Sequence, residues 1–195
     1  NKIVFEEINH SLGLTFIYSW QASAEYGFIK KTKLINHSGK ETNIKLVDGL
    51  RNILPAGVGL RTQQEMSNLA NAYKVCECDA GYNYALYYMN ALLMDKPDPG
   101  ESLFSNIVWA YSEEDIRLSV NEKSISSFLS EQSFTEDRLL KGKEGNFLCY
   151  INNSLDPDDT ICWYIIADVQ KSQSDISKIL LDVKQSDTVK EKIDK

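Results

Sequence analysis

Asp48 is the carboxylate whose sequence setting is most unusual. It follows the apolar run ending at Val47 and precedes Gly49, within the segment LVDGLRNILPAG. Glycoside hydrolysis needs two carboxylates facing each other across a sugar, and no second member stands out for Asp48. The commoner use of an Asp before a Gly is to hydrogen-bond the turn that follows through its own side chain. Arg51 and Asn52 lie just beyond it and add polar side chains to the same segment. Asp156, Asp158 and Asp159 supply oxygens of the kind calcium takes. A calcium loop of the EF-hand type is longer, contains Gly and ends in Glu, so a solvated acidic turn is the plainer reading.

The other chemistry-bearing residues are sparse. Of the four cysteines, Cys76 and Cys78 stand as C-x-C in a strand-like run and share one face. Zinc pairs are spaced C-x2-4-C and need a second pair or histidines, and neither His10 nor His37 is placed to complete one. Buried free thiols are the simpler expectation. For Cys149 and Cys162 a disulfide across neighbouring strands stays open. Trp20, Trp109 and Trp163 have the flat faces on which sugars stack. Trp20 and Trp163 fall in apolar runs and read as core, whereas for Trp109 both core and a sugar-stacking face stay open. No P-loop, dinucleotide fingerprint or nucleophile elbow occurs, and no cofactor or metal is implied.

The elements that must position these residues are mostly strands. Leu14, Phe16, Tyr18 and Trp20 alternate with Thr15, Ile17, Ser19 and Gln21 at the period of a strand. Runs at Tyr26 to Asn36 and Thr42 to Val47 follow, joined by Asn36-His37-Ser38-Gly39-Lys40, and the three are expected to form an antiparallel meander. Lys2 to Glu7 precedes them as a short strand. Leu60 to Asn71 reads as a short helix or wrapped loop. Ala72 to Asp79 and Tyr82 to Leu93 flank Asp79-Ala80-Gly81 as a hairpin, and the second of these strands is apolar on both faces, as a central strand is. A loop at Asp95 to Gly100, strands at Asn106 to Tyr111 and Ile116 to Val120, and one or two helical turns at Ser124 to Glu131 come next. Phe147 to Asn152 and Thr160 to Asp168 read as a hairpin. Ile176, Ile179, Leu180 and Val183 then repeat at helical spacing, with Ser172 or Ser174 as N-cap.

The chain has 195 residues, 43% hydrophobic and 25% charged, with ten tyrosines and a net charge of −7. That suffices for one substantial core. The acidic balance argues against a nucleic-acid backbone as partner, which needs a basic footprint. No apolar run is long enough to span a membrane, and no compartment is indicated. The first residues lack an initiator Met and a signal-peptide layout, and the last end in a charged helical pattern. Both ends read as cut, the expectation being an excised domain.

The phrases NKIVFEEINHSLGLTFIYSW, YGFIKKTKLIN, LVDGLRNILPAGV and SNLANAYKVCE, with WYIIADVQKS before the final helix, resemble an N-terminal domain of large bacterial carbohydrate-active proteins. These are similar to cellobiose-phosphorylase-like and amylo-glucosidase-like enzymes of Bacteroidetes. The resemblance covers most of the chain, most clearly residues 1–78 and 160–175. It implies an antiparallel β-sandwich of the mutarotase-like supersandwich type over residues 1–170. It also implies a helical linker at 171–195 leading to a C-terminal (α/α) toroid that holds the catalytic carboxylates. Such a sandwich packs on the toroid of its own chain, can reach the rim of an oligosaccharide site and often helps form homodimers. No catalytic residue carries over. The reading is therefore a non-catalytic domain of a glycoside hydrolase or phosphorylase, with Asp48, Arg51, Asn52 and Trp109 as candidate interface or rim residues. A free-standing carbohydrate-binding module is the alternative, and a small enzyme built on Asp48 ranks third.

Overall fold

The computed structural model describes residues 2–91, 102–131, 133–184, 189, 192 and 193. The loop expected at Asp95 to Gly100 lies outside them.

Eleven strands and four helices make up the described chain. They are β1 (Lys2–Asn9), β2 (Leu14–Ser23), β3 (Gly27–Asn36), β4 (Thr42–Ile53), α1 (Leu60–Glu65), α2 (Ser67–Tyr73), β5 (Lys74–Asp79) and β6 (Tyr84–Met89). β7 (Phe104–Ser112), β8 (Ile116–Ser119), α3 (Lys123–Glu131), β9 (Leu139–Lys141), β10 (Gly145–Leu155), β11 (Thr160–Ser172) and α4 (Gln173–Val183) complete it. The strands form an eight-stranded sheet, β1-β2-β3-β11-β7-β6-β5-β9, and a three-stranded sheet, β4-β10-β8. Every pairing is antiparallel. The chain is a mainly-β antiparallel sandwich.

Side-chain alternation assigns the layers. On β11, Ile161, Trp163 and Ile165 face the second sheet, whose Phe147, Cys149 and Ile151 on β10 meet them in one buried cluster. Ile166 points the opposite way, into a cluster with Tyr26, Ile29, Ile107, Trp109 and Ile179 of α4. α4 therefore covers the outer face of the large sheet. Leu148 and Tyr150 of β10 turn outward to Phe134, Ile125 and Phe128 beneath α3. The order is α4, large sheet, small sheet, α3.

Two expected connections differ in the structure. β4 does not join the meander, which is β1-β2-β3, but crosses to the small sheet. The strands expected as the last hairpin, β10 and β11, likewise lie in opposite sheets. Asn36 explains both. It is 0% exposed, and its amide Nδ2 donates to the carbonyls of Lys40, Leu155 and Asp156 at 2.8, 2.9 and 3.1 Å. Its Oδ1 accepts from Ser38 N at 2.9 Å, and its backbone exchanges bonds with Asp158 and Asp159. One amide ties together both segments that change sheet.

The large sheet extends past the small one on the β1 side. Ile3 pairs with Trp20 and Phe5 with Tyr18, on the same side of β2 as Phe16, which packs into the inter-sheet core. Ile3 stays 63% exposed and Phe5 46%.

Candidate functional site

Asp48 lies inside the sandwich. It sits on the core-facing side of β4, with its carboxylate directed at the large sheet. Oδ2 accepts from Trp163 Nε1 at 2.8 Å and from Thr32 Oγ1 at 3.3 Å. Oδ1 accepts from Gly49 N at 2.8 Å and pairs with the ammonium of Lys30. Only about a tenth of either charged side chain is exposed (9% for Lys30, 11% for Asp48). The expected turn bond to Gly49 is present, but the larger role is to bond the two sheets together. With all these donors in place, the carboxylate is a structural lock and faces no open cleft.

Two residues further on, the register of β4 against β10 slips. Leu50 faces Phe147 and Ile53 faces Gly145, so Arg51 and Asn52 oppose the single Asn146. This is a β-bulge, a device that re-aims side chains. Asn52 takes a left-handed φ of 56°, which Asn tolerates better than most residues. Its backbone N–H donates to Asn146 Oδ1 at 3.3 Å. Asn146 is itself buried, with Nδ2 donating to Val120 O at 3.4 Å and its carbonyl accepting from Tyr87 Oη at 2.9 Å.

The bulge forms one wall of a cleft of about 370 Å³. Asn71 of α2, Asn121 and Glu122 before α3, Lys123 and Ser126 on it, and Lys143 and Glu144 before β10 line the rest, with Leu140 the apolar member. Arg51 forms an ion pair with Glu122 at the rim. Beneath the cleft Lys74 is 2% exposed, an expensive place for a cation unless partnered. Its Nζ bonds Gln63 Oε1 and lies 3.7 Å from Glu144 Oε1, while Gln63 Nε2 donates to the same Glu144 oxygen at 2.6 Å. Burial pushes the Lys74 ammonium below its ordinary pKa, and the Glu144 carboxylate opposes that shift. Both carboxylates of the cleft, Glu122 and Glu144, are thus already engaged by cations.

The sequence-expected residues therefore separate. Asn52 lines the cleft and Arg51 stands at its rim. Asp48 belongs to the core. Trp109 is corrected as a rim residue: it is 0% exposed, packed edge-on against Tyr26 with ring centroids 5.3 Å apart, and has no face for a sugar. Trp163 is also 0% exposed, as expected of core. All four cysteines are free thiols. Burial raises the pKa of Cys76 and Cys149, and puts Cys78 at about 11. Asp156, Asp158 and Asp159 are exposed, and no metal-ligating cluster occurs among the described residues. Among those residues no helix is long and apolar enough to cross a membrane. The cleft-lining Asn71, Asn121 and Asn146 carried no sequence signal, since each is an ordinary polar residue until four separate segments meet.

No family model matches the chain, and no curated protein matches it. Among solved structures, a protein described as a kojibiose phosphorylase from the human microbiome is similar over 97% of this chain, with 12% sequence identity and a TM-score of 0.41. This chain spans 22% of that protein's length.

Proposed function

We propose that the chain is a non-catalytic β-sandwich domain that packs on and shapes a carbohydrate-active catalytic domain of the same polypeptide. The observation that carries the reading is the overhang of the large sheet. On its core-facing side Ile3 and Phe5 line up beside Tyr18 and Trp20, with Phe5 stacked on Tyr18 at 4.9 Å. An apolar sheet face of this kind is what a partner domain covers. The sequence resemblance supplies the class of partner, a helical toroid that acts on glycosides, reached through residues 171–195. In the same reading the bulge at Arg51 and Asn52, held from beneath by the Asp48 lock, is the ordered segment that meets the partner near its sugar site.

The test is an assay of hydrolysis and phosphorolysis of gluco-oligosaccharides by this chain, alone and mixed with the polypeptide encoded after Lys195. The expected result is no turnover by the chain alone and association with the downstream polypeptide. Association should weaken roughly tenfold on Phe5→Ser or Trp20→Ser, the loss of one good apolar contact. Turnover by the chain alone, or association indifferent to both substitutions, would overturn the reading.

A further inference from the structure

We propose that β1 is the contact between two copies of this chain: it pairs antiparallel with β1 of a second copy, about a twofold axis at Val4, and joins the two large sheets into one.

β1 ends the large sheet, and among the described residues β2 is its only strand neighbour. All of its residues pair with β2 in one unbroken register. Its outer edge is therefore straight, a row of backbone N–H and C=O groups that no described strand pairs. Natural edges are blunted by shortness, by Pro, by a bulge or by a central charge. The opposite edge of the same sheet follows that rule, since β9 has three residues and stops at Gly142, which takes a φ of 76°. β1 does not follow it. It has eight residues, none of them Pro, and an apolar centre, Ile3-Val4-Phe5, in which Val4 is 56% exposed. An edge of this kind is a site of strand addition.

The sequence of the strand selects the occupant. Opposite residues of an antiparallel pair share a face, so a twofold axis through a residue matches positions of the same parity. With the axis at Val4, Lys2 faces Glu6 of the copy and Glu6 faces its Lys2, with Val4 against Val4 between them. On the other side of the sheet Ile3 faces Phe5 of the copy and Phe5 its Ile3. Charges meet opposite charges, and apolar side chains meet apolar ones. The neighbouring registers lose this. An axis at Phe5 sets Glu6 against Val4 and Glu7 against Ile3, an axis at Glu6 sets two carboxylates together, and an axis at Ile3 sets Lys2 against Val4. One register is self-complementary, which is what a twofold contact requires. It also widens the apolar face, since Ile3 then lies between Trp20 of its own chain and Phe5 of the copy. The proposal stands apart from the domain reading: that reading covers the face of the overhang, and the copy takes its edge.

The experiment is sedimentation equilibrium of this chain up to about 1 mM, with amide hydrogen exchange at low and high concentration. A monomer–dimer equilibrium is expected, with a Kd on the order of 100 µM, because the contact is smaller than a standard interface. Exchange in β1 should slow as concentration rises. Val4→Lys sets two ammoniums together at the axis and should weaken the dimer roughly tenfold. Glu6→Lys sets ammoniums opposite each other twice and should do the same. Adding Lys2→Glu to Glu6→Lys exchanges the charges and should restore the affinity to within roughly threefold of wild type. Lys2, Val4 and Glu6 are all exposed, so far-ultraviolet circular dichroism and Tm should not change. A chain that stays monomeric at the highest concentration would overturn the proposal. So would assemblies larger than a dimer, a dimer indifferent to Val4→Lys and Glu6→Lys, slowed exchange confined to other strands, or a charge exchange that restores nothing. A dimer displaced by the polypeptide encoded after Lys195 would give the edge to that polypeptide and overturn it too. Val4 and Glu6 point away from the face that carries Ile3 and Phe5, so these variants leave the domain reading to its own test.

Discussion

Asp48→Ala tests how much the lock between the sheets contributes. The substitution leaves the Lys30 ammonium with about a tenth of its side chain exposed (9%) and its carboxylate gone. It also strands Trp163 Nε1 and Thr32 Oγ1, whose bonds to Asp48 Oδ2 are 2.8 and 3.3 Å long. Removing one partner of a buried ion pair costs about 3–5 kcal/mol, because the other charge remains desolvated. For a chain of this size that corresponds to a fall in Tm of roughly 6–20 °C. Urea unfolding followed by tryptophan fluorescence measures it, with an unchanged m-value as the sign that the unfolded state is the same. Lys30→Met combined with Asp48→Leu removes both charges and should be more stable than Asp48→Ala, though carrying two changes. It should stay below the wild type, since the Trp163 N–H still lacks its acceptor, worth about 1–3 kcal/mol. An Asp48→Ala variant within about 1 kcal/mol of wild type would refute the reasoning, since the desolvated Lys30 would then have found another partner.

Gly49→Ala should be among the most damaging single-methyl additions, because a Cβ there would lie 2.0 Å from the Phe147 carbonyl oxygen; the expected loss is about 3 kcal/mol or more by urea unfolding. Asn36→Ala removes the amide that ties both sheet-changing segments and should cost about 3 kcal/mol, with faster hydrogen exchange at Asp158 and Asp159. The hydroxyl of Ser172, and then its backbone N–H, hold the Asp175 carboxyl below its usual pKa. A depressed folded pKa means the stabilisation is present above the unfolded value near 3.9 and is lost as pH falls through the folded one. Docking of α4, read from Trp109 fluorescence, should therefore loosen below about pH 4. Ser172→Ala should lower stability by about 1 kcal/mol and flatten that dependence. Ellman's reagent at pH 8 should leave Cys76 and Cys149 untouched until the protein unfolds, since both are buried and hard to ionise.

Period-2 alternation located β2 in the sequence, and apolar runs bounded by turn residues located β5, β6, β7, β10 and β11, each overlapping the observed strand though not always with its bounds. β9, with three residues, is too short to show a period. What alternation does not encode is which sheet a strand joins. The turn chemistry at Asn36 to Lys40 and at Asp156 to Asp159 is the same whether the chain folds back or crosses over, and the deciding bonds from Asn36 reach residues about 120 positions away. Trp109 was misplaced for a related reason. Whether its side of β7 is solvent or core depends on α4 lying across it. Arg51 and Asn52 were legible as ordered polar residues after a strand. The cleft they border was not, since it exists only where α2, α3 and the start of β10 converge.

The pairing of β3 with β11 has a consequence during synthesis. The first three strands are complete by Asn36, but the neighbour that seals β3 begins at Thr160. At bacterial or eukaryotic translation rates the intervening chain takes on the order of 6–25 s to appear. Throughout that interval β3 lacks the strand that covers its second edge in the folded chain, and an uncovered edge is the arrangement that recruits stray strands. Lys30, Lys31 and Lys33 lie on that edge. Three cations in four residues disfavour pairing with a second copy of the same strand; in the folded chain Lys30 is paired inward with Asp48 of β4 and Lys31 lies over the Tyr164 ring of β11 at 5.0 Å. The same lysines that hold β3 in the finished fold are thus of the kind that keeps an uncovered edge from pairing with a neighbour.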